Sequence, residues 1–213
     1  MKKLFFIFVW TAFSIPMNTF ANHSPKSTNV KSADRLVEET YKEANLSGIV
    51  DFELFKDAYL AYKKTSNRKK SLLTIIDYSK PSTEKRFYVV DISEKKLIFN
   101  TYVSHGVNSG KKIATQFSNI VNSKKTSLGT FLTDSTYYGS NGYSLRLDGL
   151  SNGKNDKARE RYIVVHGADY ANPSFIEKNG YLGRSWGCPA LPQSESRAII
   201  DTIKGGSVIY ASA

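Results

Sequence analysis

The spacing of hydrophobic positions changes along the chain. Over residues 33–46, Leu36, Val37, Thr40, Tyr41 and Ala44 recur at helical spacing, and Ser47-Gly48 closes the run. Asp51 is placed to cap a second helix with Leu54, Phe55, Ala58, Tyr59 and Tyr62 on its apolar face. After Lys70 the signal becomes that of extended chain. Residues 72–78, 86–92 and 96–103 are rich in β-branched and aromatic side chains, with Ser93-Glu94-Lys95 as a hairpin turn. Further strands are predicted over 130–137, 144–147, 161–165 and 208–210. A short helix is expected after Asn172-Pro173, and a late one over 195–204, capped by Ser194 and ended by Gly205, with Ile199, Ile200 and Ile203 inward. Strands outnumber helices and hairpins join them. The prediction is an α+β fold: a mostly-β core with flanking helices and an N-terminal helix pair, not a βαβ array.

The first residues read differently. Lys2 and Lys3 precede a short apolar run over 4–13, and Thr19-Phe20-Ala21 forms a small-residue cleavage site, the layout of a secretory signal peptide over 1–21. The run is too short for the roughly 20 apolar residues of a spanning helix, so no stable membrane insertion is expected after cleavage. Residues 22–32 read as a flexible lead, 33–70 as the helices and 71–213 as the main, mostly-β domain. Cleavage after Ala21 would leave 192 of 213 residues and lower the formal charge from +11 to +9. The lysines lie in short scattered pairs without interleaved aromatics, which argues against nucleic acid. An exported protein of the periplasm or cell envelope, acting as a monomer, is expected.

Export sharpens the meaning of the single cysteine, Cys188. It excludes an intramolecular disulfide framework and multi-cysteine zinc sites, and in an oxidising compartment it suggests a reactive thiol or an intermolecular pair. It lies in Gly183-Arg184-Ser185-Trp186-Gly187-Cys188-Pro189-Ala190. Pro189 steers the cysteine from helical dihedrals and Gly187 permits an unusual φ, so a tight, extended turn is expected. A thiol near its reference pKa of about 8.5 needs a neighbouring base. His23 lies in the lead, which leaves His166, at the end of Ile163-Val164-Val165, and His105, after Tyr102-Val103-Ser104. Each is followed by glycine, and either could be a satisfied structural histidine. A buried, inert Cys188 is the bland alternative. No H-E-x-x-H or close histidine pair supports a metal, so neither metal nor cofactor is expected. Five separate S-x-x-K matches without S-D-N or K-T-G amount to noise.

His166-Gly167 followed by Ser185-Trp186-Gly187-Cys188 resembles the L,D-transpeptidases of bacterial peptidoglycan, whose usual signature is histidine-glycine and then [S/T]-H-G-C. Trp186 stands where the family has its second histidine. The wording R-S-W-G-C-P-A is similar to the murein L,D-transpeptidase catalytic domain family, a divergent YkuD-like branch. Val103-Ser104-His105-Gly106, Ser127-Leu128-Gly129, Ser144-Leu145-Arg146-Leu147 and Asn155-Asp156 extend the likeness from about residue 80 to the end. The resemblance implies a β-sandwich or barrel-like core and peptidoglycan stem peptides as substrate. It implies Cys188 as acyl-forming nucleophile and His166 as base, with the Gly167 carbonyl orienting the imidazole and the Gly187 and Cys188 N–H groups forming the oxyanion hole. His105 is a candidate replacement for the missing imidazole, Arg184 and Arg146 for binding a substrate carboxylate, and Ser185 for shaping the turn. The alternatives are an L,D-carboxypeptidase or other cysteine peptidase using water, and a non-catalytic envelope-binding protein.

Overall fold

In the computed structural model, which describes Met1 and residues 26–213, the helical spacing near the start yields two helices, α1 (Lys26–Glu43) and α2 (Phe52–Lys64). The expected signal segment and His23 lie outside the described residues. Asp51 caps α2 as expected, its carboxylate accepting the Leu54 N–H at 3.0 Å. Helix α1 starts at Lys26, within the expected flexible lead, because no glycine or proline interrupts residues 26–46. It stops at Glu43, before Ser47-Gly48, where Asn45 turns left-handed at φ +53. Val37, Thr40 and Ala44 are buried, whereas Leu36, expected inward, is exposed at the rim of the stripe.

Eight strands follow: β1 (Leu72–Asp77), β2 (Phe87–Asp91), β3 (Lys96–Thr101), β4 (Gly129–Gly139), β5 (Gly142–Gly149), β6 (Val164–Ala168), β7 (Ala190–Pro192) and β8 (Val208–Ser212). They form one sheet in the order β3-β2-β1-β8-β4-β5-β6-β7. Ser104, just past β3, bridges Ala190 of β7, its N–H donating to the Ala190 carbonyl at 2.8 Å. The two edges therefore meet, and the sheet is a nearly closed, barrel-like wall without long free edges. The expected mostly-β α+β fold is present, with two parallel pairings, β1 with β8 and β6 with β7, that the hairpin pattern did not foresee.

Strand β1 is buried on every residue because both its faces are covered. Leu73 and Ile75 join Phe55, Tyr59 and Tyr62 of α2 in one cluster, while Ile76 faces the interior with Phe87, Val89, Phe131, Leu145 and Ile209. Burying one side chain such as Phe55 stabilises by about 2 kcal/mol, which fastens the helix pair to the outside of the barrel. The interior cluster is closed by α4 (Gln193–Ile203), whose Ile199, Ile200 and Ile203 point inward as predicted. Pro192, not Ser194, occupies the N-cap of α4, since β7 runs directly into the helix. The short helix α3 (Pro173–Asn179) follows Asn172 as expected; the Asn172 side chain caps no N–H of α3 and instead accepts the N–H of Gln193 at 2.9 Å.

Candidate active site

Strand β6 carries His166 at its centre, not at its end, with Ser144 of β5 on one side and Ala190 of β7 on the other. The chain leaves β6, makes one 3-10 turn over Asp169–Ala171, forms α3, and returns parallel to β6 through Cys188. That return brings Cys188 and His166 to the walls of one cavity of about 360 Å³. Arg184, Ser185 and Trp186 line it from the cysteine loop, and Tyr170 from the 3-10 turn. Ser140 and Asn141, at the tip of the β4–β5 hairpin, also line it.

The imidazole of His166 is fixed through a local bond. Nδ1 lies 2.9 Å from the Gly167 carbonyl, which can only accept, so Nδ1 carries the proton and Nε2 offers its lone pair. Among the described residues Nε2 has no hydrogen-bond partner. Burial holds the imidazole below its ordinary pKa, the Gly167 bond opposing it, so the ring is neutral at neutral pH.

Cys188 sits on the tight turn expected of it. Gly187 has φ +121, and a Cβ there would stand 2.8 Å from the Lys125 carbonyl, so conformation and space both require glycine. Ser185 ties the turn: its hydroxyl donates to the Cys188 carbonyl at 2.6 Å and accepts the Gly187 N–H at 3.1 Å. One of the two N–H groups expected in an oxyanion hole is thereby engaged. The Cys188 N–H has no partner among the described residues. The thiol donates to the Tyr162 carbonyl at 3.5 Å. Burial pushes the Cys188 thiol up, against a backbone hydrogen bond from Val164 and the positive charge of Arg161. Thiol and imidazole are therefore both uncharged at rest.

His105 does not join them. It is fully buried, with Arg86 Nη2 2.8 Å from Nδ1 and the Gly110 carbonyl 3.2 Å from Nε2. A guanidinium only donates, so Nδ1 must accept and Nε2–H must point at Gly110. Burial, and then Arg86, push its pKa down to about 4. With both nitrogens occupied and no place in the Cys188 cavity, His105 cannot supply the missing second imidazole.

Arg184 lines the cavity, its Nη1 donating to the Gly110 carbonyl at 3.3 Å. Arg146 lies one step away on the same sheet face, opposite Val164, where Ser144 is opposite His166. It lines a separate cavity of about 700 Å³, stacked 4.1 Å from the centre of the Tyr137 ring. Trp186 is 74% exposed, with Lys124 Nζ 4.5 Å from its ring centre, and forms a rim, not a proton relay. Tyr170, the hairpin tip and Arg161 were missed from sequence. Ser140-Asn141-Gly142 reads as a turn, but only strand pairing carries it to the cavity. Arg161, predicted inside a strand, falls in the preceding turn because β6 starts at Val164.

No three His, Cys, Asp or Glu side chains form a metal-ligating group among the described residues. No described helix is long and apolar enough to cross a membrane.

The family described as the L,D-transpeptidase catalytic domain matches residues 46–212. Among similar solved structures, the L,D-transpeptidase from Mycobacterium smegmatis shares 17% identity at a TM-score of 0.41, with 68% of this chain and 59% of that chain covered. The L,D-transpeptidase from Stackebrandtia nassauensis shares 17% at 0.38, covering 83% and 76%. The helical cell shape determining protein Pgp2 from Campylobacter jejuni shares 12% at 0.44, covering 84% and 55%. This chain thus spans less than two thirds of the length of the mycobacterial structure. No curated protein matches. With the family match running from just after α1, through α2, to β8, the chain belongs to the L,D-transpeptidase catalytic domain family.

Proposed function

We propose that the protein is an exported L,D-transpeptidase: a cysteine acyl transferase acting on peptidoglycan stem peptides in the cell envelope. The observation that carries this reading is the shared cavity in which Cys188 lies with an imidazole whose Nδ1–H is held by Gly167 and whose Nε2 is free.

The chemistry follows from two neutral groups. As Sγ attacks the carbonyl carbon after the L-centre of the stem's diamino acid, its proton passes to His166 Nε2. Negative charge moves to the carbonyl oxygen, toward the unpartnered Cys188 N–H. Collapse breaks the peptide bond, and His166 returns the proton to the departing D-Ala amine, leaving a thioester on Cys188. An acceptor amine then attacks the thioester, gives a proton to His166 and regenerates the thiol. Arg184 is the cavity cation suited to a substrate carboxylate.

Purified protein is incubated with tetrapeptide muropeptides, alone and with excess acceptor amine, and products are read by mass spectrometry. D-Ala release, a covalent adduct that disappears in Cys188→Ala, and cross-linked product are expected. Release without cross-linking would make the enzyme a carboxypeptidase. Absence of both adduct and release would sink the enzyme reading in favour of a binding protein.

A further inference from the structure

Arg161 is half-buried in the turn before β6, and every hydrogen-bond partner it has among the described residues is neutral. Nη1 donates to the Ser118 carbonyl at 2.5 Å and to the Ser127 hydroxyl. Nη2 donates to the Lys125 carbonyl at 2.6 Å and to Ser123 Oγ at 3.1 Å. None of the salt bridges among the described residues includes it. A guanidinium taken partly out of water without a carboxylate is an unbalanced charge, and the cost of desolvating it must be offset by something nearby.

Cys188 is nearby. The residue after Arg161, Tyr162, adopts φ +54, rare for a non-glycine residue, and its carbonyl accepts the Cys188 thiol proton. A Cβ on Gly187 would stand 3.4 Å from Arg161 Nη2 and 2.8 Å from the Lys125 carbonyl that Nη2 holds. The guanidinium thus abuts the peptide that presents the thiol. Among the described residues Cys188 is the one titratable group whose charge acts on Arg161, and Arg161 pulls the thiol down against its burial. Other groups around the sulfur are His166, Tyr170 and Arg184 in the cavity and Tyr78 in the core behind. Trp186, in the place of the family's second histidine, brings no charge.

We propose that Arg161 is a positioning residue for the nucleophile: a standing counter-charge for the Cys188 thiolate, and a clamp that holds the Gly187 turn through the Lys125 carbonyl. The proposal rests on the reading of Cys188 as nucleophile and deepens it. When the thiol proton passes to His166 Nε2, the sulfur becomes the anion that Arg161 lacks. Acylation then carries that charge away to the substrate oxygen, and Arg161 keeps its proton throughout.

The test is the rate of Cys188 alkylation by iodoacetamide from about pH 5 to 10, followed by intact mass on the full chain and its variants. Arg161→Gln is expected to move the profile to higher pH and to slow alkylation at neutral pH, about tenfold if the profile moves by about one pH unit. Arg161→Lys is expected to hold the profile near that of the parent, and kcat should fall in Arg161→Gln with little change in KM. A folded Arg161→Gln with an unchanged profile overturns the proposal, as does a folded Arg161→Lys whose profile has moved up. Unfolding of both variants also overturns it, because Arg161 would then be only a tie between loops. The readout needs no turnover, so loss of D-Ala release in the parent protein would count against the transpeptidase reading alone.

Discussion

His105 and His166 sit in nearly the same wording, Val103-Ser104-His105-Gly106 and Val164-Val165-His166-Gly167, and both are at most 3% exposed. Both segments also meet β7 at Ala190, one from each side. They differ in what the second ring nitrogen meets. His105 is held by Arg86 on Nδ1 and Gly110 on Nε2, so its imidazole is a fully satisfied strut. His166 donates through Nδ1 to its own neighbour and keeps Nε2 unpartnered, on a ring that shares a cavity with the thiol. The imidazole proposed as the base is distinguished from the strut not by burial or by motif but by one lone pair left free.

Exchanging the damage should break the comparison most clearly. His166→Ala is expected to lower kcat by about 10² to 10⁴ while leaving the melting temperature nearly unchanged. His105→Ala should do the reverse, costing about 2–4 kcal/mol of stability by leaving Arg86 with a buried unpaired donor, as urea unfolding would read. If His105→Ala lost turnover at full stability, the strut assignment would fail.

Acid should act through His105 next. Its pKa is about 4 folded against 6.5 for the free side chain, so below that value the unfolded chain binds a proton that the native chain refuses. Stability is therefore full above about pH 6.5 and is lost as pH falls toward 4, by about 3 kcal/mol. His166, also lowered by burial, adds in the same direction, and as the proposed base it is expected to place the acid limb of activity below the ordinary histidine value. A urea midpoint that rose on acidification would refute this sign.

The two glycines that follow these histidines offer a smaller contrast. A Cβ on Gly106 would lie 2.5 Å from the Lys124 backbone carbonyl, whereas one on Gly167 would meet the Ser196 hydroxyl at 2.4 Å and the Gln193 side chain at 2.7 Å. Backbone yields less than side chains. Gly106→Ala should cost about 1–3 kcal/mol and Gly167→Ala less, measured by thermal melts. Smallest is Trp186→Ala, expected within about 0.5 kcal/mol of the parent in stability and visible only as a raised KM.

Much of this architecture was legible along the chain. Periodicity located α2 with its Asp51 cap, most of the strands and the isoleucine face of α4, because each rests on contacts a few residues apart. Strand β7 was not legible, since three residues carry no periodic signal, and Pro192 reads as a breaker although it ends a strand and caps a helix. Nor were the parallel pairings, which depend on partners more than a hundred residues away for β1 and β8. At the site, wording singled out Cys188, His166, Gly167 and Gly187, and local chemistry foresaw the tight turn.

What the sequence alone determined about this protein is therefore the family, the mostly-β class and a lone thiol with two candidate imidazoles. Tertiary structure decided which imidazole shares the thiol's cavity, and it placed Arg161, taken from sequence as part of a strand, against the Gly187 turn. The physical reason is that propensity and spacing are local properties, whereas a free lone pair and an unpaired charge are defined by everything that did not arrive beside them. Only the closed sheet settles which groups do.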